Sequence, residues 1–343
     1  MLVNFNYLLK EAIKNNYGVG IMEVWDLHTI KAGVEAAVEE NSPAALLAGQ
    51  TFIEGIGVKA FADIALSYIN SVDVPMALCL DECQDFDFII KCIKAGFSFV
   101  MHDGAGGEYA HGSPLSFEEN TSITKEVVRI AHAVNVTVEA SLGEIPLSTG
   151  GVVTNLSAKS GYTDLDQAYE FVQRTGIDIL APSIGNIHCL YKDKWPEPDW
   201  VLAEKIVRKI GIPCSLHGAS GAKDDQIRKA ISIGFKKINV GTRYNEIYRK
   251  ALLEELQKCE GLGCPFNSSN VAANTYKKEA KRLMREVYMS SGMFIPTIKD
   301  YWTIDKIDIS DIFKDSSTQG SDYRYLINEI TEKVLRNIGK GSQ

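Results

Sequence analysis

Polar side chains stand at the ends of several short apolar segments that this sequence predicts to be strands. The third such segment ends in Asp81 and Glu82, the sixth leads to His188, and the seventh ends in His217. Two histidines and one carboxylate are a common ligand set for zinc, manganese or iron. The sequence therefore predicts a divalent metal site of His188, His217 and Glu82, with hydrogen-bonded structural histidines as the alternative.

A second pattern predicts an anion site, because small residues with free backbone N–H groups or hydroxyls follow the seventh and eighth predicted strands. These residues are Gly218, Ser220, Gly221, Asn239, Gly241 and Thr242. The alternative is that the glycines only form turns. Phosphate sites at this position recur in barrel enzymes, which favours a phosphate site with Lys192 supplying positive charge.

Eight β-rich segments position these residues, and helical periodicity follows most of them. The predicted strands are 19–24, 43–48, 75–81, 97–102, 136–142, 177–182, 212–217 and 236–241. Their continuous apolar runs are typical of parallel strands that are covered on both faces. No GxGxxG follows the first strand, so the pattern favours an α/β fold of the (β/α)₈ TIM-barrel type over an open doubly wound sheet.

The part of the chain after the eighth strand is predicted to be mostly helical. We expect a helix at about 243–258, then a Gly/Cys/Asn/Ser stretch at 260–271, and a long amphipathic helix at about 275–291. The barrel domain is predicted to comprise residues 1–292, followed by a C-terminal helical extension of residues 293–343 that contains a helix at 323–338. Such an extension is more suited to subunit packing or to covering the barrel than to chemistry.

Composition limits the partners of this 343-residue chain. Its net charge of -8 disfavours nucleic acid and anionic membranes as partners, and no apolar run approaches a membrane span. Seven cysteines without a CxxC pair favour free thiols in a reducing compartment, and the N-terminus is too charged for a signal peptide. A cytoplasmic protein is therefore expected.

At this point the motifs resemble those of the class II, metal-dependent ketose-bisphosphate aldolases, over about residues 1–292. The segments that carry the resemblance are PMALCLDE (75–82), VMHDGA (100–105), LSFEEN (115–120), VEASLG (138–143), GNIHCLYK (185–192), LHGASG (216–221) and KINVGTR (237–243). Their number and order are specific for fold and ancestry.

The resemblance implies reversible cleavage of a phosphorylated ketose, in which a metal polarises the ketone. It implies that His188 and His217 are metal ligands and Asp81 the catalytic acid/base. It places Lys192, Gly218, Ser220, Gly221, Asn239 and Thr242 at the substrate phosphate. Zinc is the first expectation for the metal, with manganese, cobalt or iron as alternatives, and the enzyme is expected to be a homo-oligomer, either a dimer or a tetramer.

The sequence also departs from the family pattern at strand ends. Glu82 stands where the family has a third histidine ligand, Arg243 where an acidic residue is usual, and Glu23 at an asparagine position. Gly49 occupies a serine position. The predicted substrate-binding residues also include Glu23, Asp103, Gly241 and Arg243. So many carboxylates in one cleft require a cation, a polyhydroxylated or amino substrate, or raised pKa values.

These departures predict an aldolase-type lyase whose phosphorylated ketose is not the standard fructose 1,6-bisphosphate. The alternative is a non-catalytic, aldolase-like subunit or sensor that binds a sugar phosphate. An isomerase that uses Asp81 and Glu82 without a metal is less favoured, because it would leave the two histidines without a role. Because strand residues alternate faces, Asp81 and Glu82 can share the barrel mouth only if the third strand ends at Asp81.

Overall fold

Eight parallel strands form a closed barrel in the computed structural model of this chain, which confirms the predicted (β/α)₈ architecture. Around the barrel the strands follow chain order, and the last strand pairs with the first. The strands are β1 (Val19–Glu23), β2 (Ala44–Ala48), β3 (Met76–Cys83), β4 (Phe99–His102), β5 (Thr137–Leu142), β8 (Ile179–Pro182), β9 (Cys214–Leu216) and β10 (Phe235–Ile238). Between β5 and β8, a hairpin of β6 (Ser148–Thr149) and β7 (Val152–Val153) stands apart from the barrel.

The structure describes residues 1–106, 110–149, 152–153, 161–188, 195–261 and 263–295. Lys192 and the helix predicted at 323–338 lie outside these ranges. The division into a barrel of 1–292 and a helical extension of 293–343 therefore stays a prediction. Within the described ranges no helix is long and apolar enough to cross a membrane.

Helices cover the outside of the barrel. They are α1 (Phe5–Asn15), α2 (Leu27–Glu39), α3 (Gln50–Ile56), α4 (Val58–Asn70), α5 (Phe86–Ala95), α6 (Phe117–Ala133), α7 (Leu165–Thr175), α8 (Trp200–Ile210), α9 (Asp224–Ile233), α10 (Thr242–Lys258) and α11 (Cys264–Arg282). Local sequence fixes their starts. Asp26 and Ser116, for example, each accept a backbone N–H of the first helical turn and form reciprocal capping boxes.

The core has two layers. One lies between the helices and the outer faces of the strands, and the other fills the barrel with inward-facing side chains. Phe5 and Leu8 of α1 belong to the inner layer, where the Phe5 ring lies 5.0 Å from that of Phe99. Helix α1, which the sequence analysis did not predict, thus packs into the barrel interior and leaves the carboxyl ends of the strands for a site.

The long helix predicted at 275–291 is present, but its bounds differ from the predicted ones. It begins at Cys264, within the Gly/Cys/Asn/Ser stretch at 260–271, with Gly263 in the left-handed conformation before it and Pro265 in its first turn. The helix expected to reach 291 ends at Arg282 and continues as a π-helical turn, Leu283–Val287. Burial of one face of α11 against the barrel outweighs the low helix propensity of its Asn and Ser residues.

The expectation of seven free thiols is also wrong, because Cys259 and Cys264 are joined in a disulfide. The chain turns between α10 and α11 and brings their Cα atoms to 5.6 Å, within the range a disulfide spans. Cys79, Cys83, Cys92 and Cys214 are free and buried, as expected.

Candidate active site

A cavity of about 430 Å³ opens at the carboxyl ends of the strands. This is the end of a TIM barrel at which active sites lie. Its wall includes most of the residues that the sequence placed at the site. They are Glu23, Asp81, Glu82, His188, His217, Gly218, Ser220, Asn239, Gly241 and Thr242.

Strand β3 supplies two adjacent carboxyl groups to this cavity, by a route that differs from the predicted one. The strand does not end at Asp81 but continues to Cys83, and its pairing with β4 is irregular between Leu80 and Cys83. Such an irregularity breaks the strict alternation of faces. Asp81 and Glu82 therefore both line the cavity although the strand passes through them.

Glu82, His188 and His217 form the one potential metal-binding group found among the described residues, with ligand atoms all within 4.8 Å of one another. The Oε1 atom of Glu82 lies 2.7 Å from Nδ1 of His217 and 3.4 Å from Nε2 of His188. The His217 side chain is 1% exposed and that of Glu82 9%, while that of His188 is 15% exposed. This is the ligand set predicted from the sequence.

The second ring nitrogen of His217, Nε2, forms a hydrogen bond with Glu139 on β5. Nε2 of His217 donates to Oε1 of Glu139 over 2.7 Å, and the Ser215 hydroxyl donates to the same oxygen over 2.6 Å. Because Glu139 holds a proton on Nε2, the nitrogen of His217 left to bind a metal is Nδ1, which faces Glu82 and would give up its own proton when the metal binds. A histidine oriented by a carboxylate in this way is the usual arrangement behind a metal ligand, so the residues fit a divalent ion.

Glu139 is itself neutralised by Lys237 on β10. The Lys237 Nζ atom lies 3.0 Å from Oε2 of Glu139, and both side chains are fully buried. Burial alone would raise the pKa of Glu139, but Lys237 and the hydrogen bond with His217 lower it to about 2. Burial opposes protonation of His217, yet its hydrogen bonds with Glu139 and Glu82 raise its pKa to about 10.

Asp81 is the carboxylate best placed to exchange a proton with a ligand in the cavity. Its Oδ1 atom accepts a hydrogen bond of 3.1 Å from the amide of Asn239, which is in turn held by Lys237 over 2.8 Å. Burial raises the pKa of Asp81 to about 6, although Lys237 opposes this. A base with a pKa near the working pH is suited to proton transfer.

The predicted phosphate residues surround one side of the cavity. Gly218 has φ +70°, and a Cβ atom there would lie 1.9 Å from the backbone oxygen of Ile187, so only glycine fits. Ser220 belongs to the 3₁₀ turn Ala219–Gly221, whereas Gly221 ends that turn behind the cavity wall. Thr242 begins α10, so its backbone N–H has no partner within the helix.

Two other predicted substrate residues lie elsewhere. The guanidinium of Arg243 points away from the cavity and donates to the backbone oxygens of Ser220 and Ala222, over 3.0 and 2.9 Å. It therefore braces the 3₁₀ turn instead of lining the cavity. Asp103 lies in a second cavity of about 360 Å³, on the other side of the metal-binding group, where it accepts a hydrogen bond from Ser141.

Sequence reasoning missed Glu139, Lys237 and the mouth residues Thr51 and His111. The signal for the first two was present, since a charged residue inside an otherwise apolar strand must be paired when it is buried. His111 gave no such signal. It belongs to the segment between the motifs VMHDGA and LSFEEN, and its Nε2 atom lies 3.0 Å from the Thr51 hydroxyl.

Comparison with known proteins gives a consistent match over this barrel. A family model described as "Fructose-bisphosphate aldolase class-II" matches residues 3–293. A fructose-bisphosphate aldolase from Geobacillus stearothermophilus is 35% identical over 295 residues, which cover 85% of this chain and 98% of that protein. A 6-phospho-5-dehydro-2-deoxy-D-gluconate aldolase from Bacillus licheniformis is 34% identical over 300 residues, 87% of this chain and 98% of that one.

A solved structure shares the fold as well. The crystal structure of the YdjI aldolase from Escherichia coli K12 superposes with a TM-score of 0.72 at 27% identity. The match covers 86% of this chain and all of that one.

Proposed function

The chain belongs to the class II fructose-bisphosphate aldolase family, and from this membership we propose how its own residues cleave a phosphorylated ketose. The chain is thus an aldolase-type carbon–carbon lyase, and the catalytic and binding roles given below to its residues are proposals. The relatives named above act on different phosphorylated compounds, so membership leaves the substrate open.

We define the phosphate cradle as the predicted phosphate residues that line the cavity, which are Gly218, Ser220, Asn239, Gly241 and Thr242. The assignment of roles rests on one observation: Asp81 and the Glu82–His188–His217 group face the same cavity as this cradle. A ketose held there by its phosphate would extend toward both the base and the metal-binding group. An aldol cleavage requires that the base and the metal act on the same substrate molecule, so they must lie close together.

Glu82, His188 and His217 would hold the divalent metal, with zinc as the first expectation and manganese, cobalt or iron as alternatives. Bound there, the metal supplies Lewis-acid polarisation of the ketone. Glu139 acts through His217, because it fixes the proton of the imidazole on Nε2. Lys237 keeps Glu139 ionised.

Asp81 would take the proton of the C4 hydroxyl. As that O–H bond breaks, the C4 oxygen forms a carbonyl and the C3–C4 bond breaks. The electron pair of this bond stays on the phosphate-bearing fragment, which takes up a proton at C3 and leaves as a ketose phosphate. Asn239 orients Asp81 through its hydrogen bond of 3.1 Å, and burial keeps water from competing for the base.

A cleavage screen of ketose phosphates tests this proposal, with the protein loaded separately with zinc, manganese, cobalt and iron. Dihydroxyacetone phosphate is measured with a coupled NADH assay. We expect release with at least one ketose phosphate, and loss of release in Asp81→Asn but not in Asp63→Asn, whose side chain is exposed on α4. If no ketose phosphate is cleaved under any metal loading, the non-catalytic alternative is the better account.

We further propose that the enzyme is a homo-oligomer. Large apolar side chains remain exposed on α10 and α11, among them Leu253, Phe266 and Val271, with 41% or more of each exposed. These helices pack against each other, and large exposed apolar side chains on neighbouring helices are consistent with a subunit contact. Light scattering after size exclusion tests this, and a mass of one chain at micromolar concentration would contradict it. The cytoplasmic location stays a prediction from the sequence.

A further inference from the structure

The cavity wall beyond the phosphate cradle is acidic. Four carboxylic residues line it: Glu23, Asp81, Glu82 and Glu246. No lysine or arginine lines the cavity in the part of the chain that the structure describes. With Glu82 holding the metal, a second phosphate group on the substrate would still face Glu23, Asp81 and Glu246 without a described lysine or arginine to offset its charge.

Glu23 is the carboxyl group whose environment points most clearly to a ligand. Its side chain lines the cavity, and among the described residues it makes no hydrogen bond; only its backbone oxygen is bound, by the Tyr276 hydroxyl over 2.8 Å. When a ligand fills the cavity and displaces water from Glu23, leaving this carboxyl group without a partner would be costly unless the ligand satisfies it. The carboxyl group of Glu23 is thus available to form hydrogen bonds with a bound substrate.

The position of Glu23 depends on the residue opposite it in the cradle. A Cβ atom at Gly241 would lie 2.5 Å from Oε2 of Glu23, so the glycine leaves just enough room for the carboxyl group. Glu23 and Gly241 therefore fit each other, and the carboxyl group lies directly beside the cradle. Burial, together with Asp81 and Glu82, raises the pKa of Glu23 to about 8.

A substrate hydroxyl satisfies Glu23 in either protonation state, because it donates to a carboxylate and accepts from a carboxylic acid. A phosphate dianion has only acceptors, so it can satisfy Glu23 only when the carboxyl group is protonated, and it is repelled by every ionised carboxylate of the wall. The chemistry of this wall is thus matched to hydroxyl groups.

The mouth of the cavity extends this hydrogen-bonding surface. Thr51 and His111 meet there, and the segment that carries His111 is anchored by Gln84. The Gln84 backbone N–H donates to the oxygen of Ala110 over 3.2 Å, and its side chain donates to the oxygen of Ser113 over 2.9 Å. The far end of a bound sugar would therefore meet a hydroxyl and an imidazole held in place.

From these observations we infer that the substrate is a ketose with a single phosphate, and that Glu23 selects hydroxyl groups over a second phosphate on the rest of the substrate. This inference rests on the proposed function, since it names the substrate class of the same site. The phosphate cradle holds the one phosphate, and Glu23 is a specificity-determining residue that disfavours a second phosphate in the same cavity.

Binding of two unreactive substrate analogues tests the inference. Glucitol 1-phosphate and glucitol 1,6-bisphosphate have no carbonyl group, so neither can be cleaved. Calorimetric titration of the zinc-loaded wild-type protein should show at least about tenfold tighter binding of the monophosphate, the smaller of the effects expected for a hydrogen bond to a charged group. Equal or tighter binding of the bisphosphate would overturn the inference.

Glu23→Gln links the preference to this residue. Measured above pH 8, where Glu23 is ionised, this change keeps the size of the side chain and removes the charge, and we expect it to reduce the preference for the monophosphate by about 10–100-fold. Glu204→Gln is the matched control, because Glu204 is exposed on α8, and it should keep the wild-type preference. An unchanged preference in Glu23→Gln would refute the role of Glu23.

These titrations and the cleavage screen of ketose phosphates together separate this inference from the proposed function. If the wild type prefers the monophosphate yet cleaves no ketose phosphate, the inferred ligand class stands and the catalytic roles fall. If it cleaves ketose 1,6-bisphosphates as efficiently as 1-phosphates, the catalytic roles stand and the inferred substrate class falls.

Discussion

Glu139→Gln is expected to weaken both metal binding and folding, because the Glu139 carboxylate serves His217 and Lys237 together. The Lys237–Glu139 pair is fully buried with its charged atoms 3.0 Å apart, so solvent does not screen it. Removing one partner of such a pair leaves the other charge unpaired and costs about 3–5 kcal/mol. Losing the carboxylate behind a metal ligand lowers metal affinity about 10–100-fold, or roughly 1.4–2.8 kcal/mol.

Two assays separate these effects. Urea unfolding of the metal-free protein gives the loss of folding free energy, and competition with a chromophoric chelator gives the zinc affinity. Glu126→Gln is the control, because Glu126 forms an exposed pair with Arg129 on α6 and should leave both quantities unchanged.

A double variant, Glu139→Gln with Lys237→Met, distinguishes orientation of His217 from general damage to the fold. Removing the lysine charge as well leaves no unpaired ion, so part of the lost stability should return. Zinc affinity should remain low, since no carboxylate holds the His217 proton. Wild-type zinc affinity in either variant would refute the role given to Glu139.

Three further predictions address the base, the cradle and the response to acid. Asp81→Asn should lower turnover about 10²–10⁴-fold with metal content unchanged, as steady-state kinetics and elemental analysis would show, and full turnover would exclude Asp81 as the base. Gly218→Ala should destabilise the fold by at least about 1–3 kcal/mol in urea unfolding, because its φ is +70° and its Cβ would meet the oxygen of Ile187. Gly55→Ala, a helical position with open space around the new Cβ, should be neutral or stabilising, and equal losses in both variants would count against the steric argument. Burial lowers the pKa of His102 from 6.5 to about 4, so the unfolded chain binds this proton first as pH falls. Stability should then decline between pH 6.5 and 4 by up to about 3 kcal/mol, and His102→Phe should lack that part of the decline, measured as urea midpoints across the pH range.

Much of the site was predictable because polar residues that follow short apolar runs mark the strand ends in the sequence. Asp81, Glu82 and His217 each follow an apolar run, and the carboxyl ends of parallel strands meet at one face of a barrel. The spacing of Gly218, Ser220, Asn239 and Thr242 likewise indicated the cradle. These predictions needed only the order of strands, not their exact register.

The remainder depended on contacts that no local pattern contains. The irregular pairing after Leu80 decides that Asp81 and Glu82 share a cavity, and register is a property of two strands together. Arg243 turned away from the cavity because the oxygens of Ser220 and Ala222 lie within its reach. Such partners are defined only once the barrel is closed.

Metal stoichiometry tests the central claim most directly. The wild-type protein, loaded separately with zinc, manganese and cobalt and then dialysed, should retain one ion per chain for at least one of these metals. His217→Ala should retain none, while His28→Ala, which removes a histidine outside the cavity wall, should retain the wild-type amount. If the wild type retains no metal, or if His217→Ala retains a full equivalent, then Glu82, His188 and His217 do not form the metal centre of this aldolase.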